Sequence, residues 1–160
     1  MDHESFLRLH QATERPLWGY IFSATGSPSL ADDLCQEAYL RMLSVRLPEN
    51  PTDDHLRHYV FRIATNLIAD HGREMRRRVD GQVEEPAVPS HETAVIDRQR
   101  VSAALSHLRP KDRQLLWLAY VERLPHREIA EALSYREPSI RPLLHQAKRR
   151  ILEILKGTQR

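Results

Sequence analysis

"LSYREPSIRPLLHQAKRR", residues Leu133 to Arg150, decides how the chain is read. Before it, "HREIAEAL" (His126 to Leu133) places Ile129, Ala130 and Leu133 on one side of a two-turn helix, and "SYRE" then makes a tight turn. Beyond the turn runs a longer amphipathic helix with Ile140, Leu144, Ala147, Ile151, Leu152 and Leu155 inward and Arg141, His145, Lys148 and Arg149 outward. A short helix, a turn and a helix with a basic outer face make a helix-turn-helix, in which the second helix would enter the DNA major groove; a structural bundle with a charged outer face is the other reading of this piece. Arg141, His145 and Arg149 share a face there, and arginine suits both guanine edges and phosphates.

Two prolines complicate this reading. A proline deep in a helix costs about 3 kcal/mol, because it removes a backbone bond and clashes with the preceding turn. If Ser139 is the N-cap, Pro142 falls at the third helical position, where its missing N–H had no intrahelical partner. The expectation is therefore a recognition helix that starts late, with Arg136 and Ser139 in the turn and cap. Pro125 stands where a side-chain N-cap for the first helix of the pair would be useful.

Working outward, Pro110 suits the first position of a preceding helix whose interior face is Leu115, Leu116, Leu118, Ala119 and Val121. Before that, "AVIDRQRVSAALSHL" is amphipathic through Val95, Ile96, Val101, Ala104, Leu105 and Leu108. Residues 80–94 hold two prolines, a glycine and a reversal of charge, and read as a linker between helical domains at 1–79 and 95–160. The first domain reads as three helices. Phe6, Leu7, Leu9, Leu17, Trp18 and Ile21 mark the first, which Pro16 is expected to kink or divide. Ser29, with Asp32 as capping-box partner, is expected to open the second, with Leu30, Leu34, Ala38 and Met42 on one face. Thr52 is expected to cap the third, with Tyr59, Ile63 and Leu67 four apart along it, Asp70 three further on, and Gly72 fraying its end. No alternating Val/Ile-rich run suggests a sheet, so the fold class is all-α: two small helical domains joined by a flexible linker, the second a helix-turn-helix domain.

The formal net charge of +2 over 160 residues is no nucleic-acid signature in itself. Its distribution says more: basic clusters at Gly72–Arg78 and Arg136–Arg150 flank a stretch containing Asp80, Glu84, Glu85 and Glu92. The single cysteine, Cys35, excludes a disulfide framework; on a buried helix face it would be inert, and a redox role is the alternative. The amino terminus does not read as a signal peptide, and the longest apolar run, "LLWLAYV", is too short to cross a bilayer, so a cytoplasmic protein is expected.

Taken together, "DDLCQEAYLRM", "YVFRIATNLIADHGREMRRR" and "LSHLRPKDRQLLWLAYVERLPHREIAEALSYREPSIRPLLHQAKRRILEIL" resemble domains two and four of extracytoplasmic-function (group IV) sigma factors, in order, spacing and total length. The resemblance implies an alternative sigma factor that recruits core RNA polymerase to promoters and helps melt them, with no catalysis and no cofactor of its own. It implies docking on the polymerase clamp coiled coil through Asp33, Leu34, Gln36 and Glu37. His55, Arg57, His58, Tyr59, Phe61, Arg62 and Asn66 would serve the minus-ten element, where aromatics stack on unpaired bases and Asn bonds a base edge. Arg73, Arg76, Arg77 and Arg78 would track phosphate, and Arg136, Ser139, Arg141, His145, Lys148 and Arg149 would meet the minus-thirty-five element. Further implied partners are the polymerase flap and an anti-sigma factor, and the acidic linker would thread the polymerase channels.

Two other classes remain open on the sequence. One is a dimeric helix-turn-helix regulator that makes no contact with core polymerase. The other is a metal-dependent phosphohydrolase or nuclease, prompted by nine histidines and by His55 and His58, three apart, with Asp54, Asp70 and His71 on the same segment. Asp70 and His71 lie too far along one helix to complete that shell.

Overall fold

The computed structural model describes residues 1–78 and 103–157, all of them helix, turn or irregular connection with no strand. The chain divides into two compact units, Met1–Glu85 and Pro86–Arg160. The expected linker, 80–94, and the helix expected through Val95, Ile96 and Val101 lie outside the described residues.

The first unit is a three-helix bundle in which α1 (His3–Thr25), α2 (Pro28–Ser44) and α3 (Asp53–Arg78) each pack on the other two. Leu17, Tyr20, Ile21, Met42, Leu56, Val60 and Phe61 fill its core. Each helix opens on a side-chain cap: Ser5 N donates to Asp2 Oδ1 (2.8 Å), Leu30 N to Ser27 Oγ (3.2 Å) and His55 N to Thr52 Oγ1 (3.1 Å). Thr52 is thus the expected cap, but Ser27 replaces Ser29. Pro28 explains the shift, since at N1 its fixed φ suits the helix and its missing N–H is no loss. Asp32 accordingly forms no capping box and accepts from Trp18 Nε1 at 2.8 Å. Gly72 does not end α3, which continues to Arg78.

Pro16 does not divide α1, a single helix from His3 to Thr25. Its lost N–H would have bonded the Ala12 carbonyl, four residues back, and the Arg57 guanidinium of α3 donates to that carbonyl at 3.1 Å. Gly26, in the left-handed region at φ 68°, then closes the helix by returning its N–H to the Phe22 carbonyl.

In the second unit, helical residues 103–106 precede α4 (Pro110–Leu116), which runs into a π-helical turn at Trp117–Val121; α5 (His126–Leu133) and α6 (Glu137–Gly157) come after it. Pro110 occupies the first turn of α4 as expected, and α5 starts after Pro125 with no side-chain cap. The wider π turn rotates Val121 out of phase, so this residue is 56% exposed where the sequence placed it inward. Leu152 is likewise exposed, while Ile140, Leu144 and Ala147 are buried as expected. The core of this unit also encloses polar groups that hydrophobic periodicity cannot announce. Asp112 is buried and accepts from Arg150 Nη1 at 2.7 Å, fastening α4 to α6, and buried Arg113 reaches the Ser106 carbonyl at 3.5 Å.

Contrary to the late start expected from Ser139, α6 begins at Glu137 and continues unbroken through both prolines. Pro138 falls within its first turn, where an N–H is not required. Pro142 falls in the second turn and removes one bond, to the Pro138 carbonyl. Both residues are exposed, so water can serve that carbonyl; propagation along the rest of the helix and the packing of Ile140 and Leu144 outweigh the single loss. Ser139 is therefore helical, its N–H bonding the Arg136 carbonyl at 2.9 Å.

Candidate nucleic-acid interface

Three helix faces carry the residues singled out in the sequence. On α2, the helical period places Asp33, Gln36 and Glu37 in one sector. Asp33 and Gln36 are exposed, and half-exposed Glu37 is held by Arg41 Nε at 2.8 Å. Leu34 is half-buried, but it lies about 100° around the helix from Asp33 and does not share that sector. Two residues without a role in the sequence reading do share it or border it: Leu40, 61% exposed, and Leu43, 49% exposed. Their signal was present, because they repeat at three and four from Gln36 and Glu37, out of phase with buried Ala38 and Met42. The face is an apolar ridge flanked by acceptors. Cys35 is half-buried behind it; burial, with the nearby Asp32 and Glu14 charges, pushes its thiol up to about 12, so it is inert at neutral pH.

On α3, His55, Tyr59, Arg62, Asn66 and Arg73 line up along one outer strip, which Arg76 and Arg77 flank at its far end. Asn66 and the three last arginines are exposed, His58 sits half-buried at the strip's edge, and the Arg62 guanidinium lies 5.8 Å from the Tyr59 ring. Arg73 is paired with Asp70, and Arg78 with Glu74 at 2.6 Å. Such exposed pairs are worth about 0–1 kcal/mol and exchange easily for phosphate. Two residues do not belong to the strip. Phe61 is wholly buried against Tyr20, with ring centroids 5.4 Å apart, so it cannot stack on a base. Arg57 is turned to the Ala12 carbonyl and the Phe61 ring, 5.8 Å away, and serves the fold of α1.

On α6, Pro138, Pro142, His145 and Arg149 run along the centre of the outer face, with Arg141 and Lys148 on one flank. All six are exposed, and Arg136 is exposed just before the helix. Lys148 lies 4.5 Å from the Tyr120 ring centroid, which leans it away from the centre of the outer face. The turn before α6 depends on Ser134, whose φ of 59° and ψ of 42° are left-handed, and on the Tyr135 N–H, which bonds the Ala130 carbonyl at 2.9 Å. Among the described residues, no three His, Cys, Asp or Glu side chains gather closely enough to hold a metal, and no helix is long and apolar enough to cross a membrane.

Comparison with known proteins agrees with this layout. Residues 4–78 match Sigma-70 region 2, and residues 98–151 match Sigma-70, region 4. The chain is 30% identical over 139 residues to the ECF RNA polymerase sigma factor SigL of Mycobacterium tuberculosis, covering 83% of this chain and 78% of that one. It is 23% identical to the ECF RNA polymerase sigma factor SigM of Bacillus subtilis, over 89% of this chain and 90% of that one. Among solved structures, the sigma factor RpoE of Bartonella quintana, crystallised with the anti-sigma factor NepR, has the same fold, with a TM-score of 0.74 at 21% identity over 94% of this chain and 96% of that one. A three-helix unit matching region 2, followed by a helix-turn-helix unit matching region 4, places the chain in the family of extracytoplasmic-function RNA polymerase sigma factors.

Proposed function

We propose that this sigma factor docks on core RNA polymerase through the α2 face and divides promoter recognition between its two units, residues 1–79 serving the minus-ten element and 95–160 the minus-thirty-five element. The observation that carries the reading is the α2 face: exposed Leu40 and Leu43 beside Asp33, Gln36 and Glu37 suit an arginine-bearing coiled coil such as the polymerase clamp. The α3 strip supports strand capture. Tyr59 offers a stacking ring, Asn66 a base-edge amide, and Arg62, Arg73, Arg76 and Arg77 a path for phosphate. Arg141, His145 and Arg149 meet the upstream element from α6 and Arg136 from the turn before it, while Ser139 contributes a hydroxyl from inside the first turn.

The protein acts in the cytoplasm with polymerase and carries out no reaction itself; bond formation belongs to the polymerase. The polymerase flap and an anti-sigma factor are further partners, the latter supported by the fold shared with a sigma factor crystallised with one. The experiment is binding of the full chain to core polymerase, followed by transcription from a supercoiled promoter library, with Asp33→Arg/Glu37→Arg as the control. Expected are stable binding and promoter-specific transcripts, both lost in the double variant. Direct DNA binding by the free protein with no polymerase contact would overturn the proposal.

A further inference from the structure

The centre of the groove-facing side of α6 is apolar in its first two turns. Pro138 and Pro142, one helical turn apart and both exposed, stand where a recognition helix comes nearest to base edges. With Tyr135, Arg136, Ser139 and Leu143 they line an open hollow of about 510 Å3. Proline has no backbone N–H and no polar side-chain atom, so neither residue can donate to the nitrogens and oxygens by which the major groove is ordinarily read. The groove offers one apolar feature that distinguishes a base, the C5-methyl of thymine. Arg136 at the rim, with Arg141 and Arg149 on the same helix, supplies positive charge for flanking phosphates, so DNA fits this surface better than an apolar protein segment does.

We infer that the Pro138–Pro142 facet is a specificity device that reads a thymine methyl group in the upstream promoter element. The inference rests on the promoter-recognition reading above and deepens it. The rigid pyrrolidine rings lose no rotamer freedom on contact, and Leu143 and the half-buried Tyr135 ring extend the apolar wall. Arg141, His145 and Arg149 then position the helix while the prolines select the base.

The test uses holoenzyme reconstituted from core polymerase and the full chain. Selection from a promoter library gives the upstream element, and each of its thymines is then replaced singly by uracil, which keeps every pairing and hydrogen-bonding group and removes only the methyl. At one or two positions uracil is expected to weaken binding about three- to fivefold, the factor that burial of one methyl group gives. Pro142→Ser and Pro138→Ser should bind thymine and uracil promoters equally at those positions. Equal binding of both promoters by the unaltered protein, or a penalty that persists in both serine variants, would overturn the inference while leaving promoter recognition intact. A 5-methylcytosine that raises binding where no thymine matters would overturn the thymine assignment in favour of methylated cytosine. A selection that yields no upstream element at all would overturn both this inference and the recognition role of α6.

Discussion

Helices of the amino-terminal unit begin on side chains that accept backbone N–H groups, Asp2, Ser27 and Thr52, whereas α4 and α5 of the carboxy-terminal unit come after Arg109 and Pro125, which cap nothing. The same contrast holds for the two prolines inside helices. Pro16 frees the Ala12 carbonyl and Arg57 restores its bond, while Pro142 frees the Pro138 carbonyl on an exposed face and leaves it to water. Missing caps cost about 0.5–2 kcal/mol each, so the second unit stands on fewer local supports. Its defects lie on or beside the helix-turn-helix, whereas the first unit mends its own from within.

The largest effect should come from the residue that the structure moved from the interface to the core. Phe61→Ala is expected to cost the first unit about 3–5 kcal/mol, because Phe61 is fully buried on Tyr20 beside the Tyr20–Thr65 hydroxyl bond of 2.7 Å. Tyr59→Ala, on the outer strip, should leave the melting transition nearly unchanged and weaken promoter opening instead. Equal melting temperatures for Phe61→Ala and Tyr59→Ala would undo the division between core and strip.

Next in size is an expected gain. Pro142→Ala restores a donor for the Pro138 carbonyl and a good helix former, and should stabilise the second unit by about 1–3 kcal/mol in denaturant titration. Pro16→Ala should change stability by less than about 1 kcal/mol, since Arg57 already fills the gap there. Arg57→Ala alone should cost about 1–2 kcal/mol through the lost bond to Ala12 and the lost contact with the Phe61 ring. Combined with Pro16→Ala, part of that cost should disappear, because a backbone N–H now serves Ala12. Strict additivity in this cycle would mean that Arg57 does not compensate for the proline.

Hydrophobic spacing was enough to place the described helices, their order and most of the core in the sequence; the outer face of α6 came from the same periods, whereas the residues singled out on α2 and α3 came from the family resemblance. The features that escaped it turned on one residue's environment. Ser27 and Ser29 are equally good caps on paper, and only the position of Pro28 separates them. Phe61 and Tyr59 are both aromatic on one helix; only the three-dimensional partner Tyr20 assigns Phe61 to the interior. The late start expected for α6 weighed Pro142's single lost bond above the burial of Ile140 and Leu144, and packing won. The π turn at Trp117–Val121 and the ion pair of buried Asp112 with Arg150, which joins α4 to α6, have no periodic signature at all.

Among the supports that distinguish the two units, the α1 cap is the one whose contribution pH alone can remove. Asp2 accepts from the Ser5 N–H and the Ser5 hydroxyl, at 2.8 and 3.0 Å, and these bonds hold its carboxyl below the usual value. A depressed folded-state pKa adds stability that is present above the unfolded value, near 3.8, and is lost as pH falls through the folded one. Asp2→Ala should therefore lower the stability of the first unit at neutral pH, and the gap from the unaltered protein should narrow below about pH 4. Asp2 is fully exposed, which makes this the smallest of the expected effects and one that added salt should shrink further.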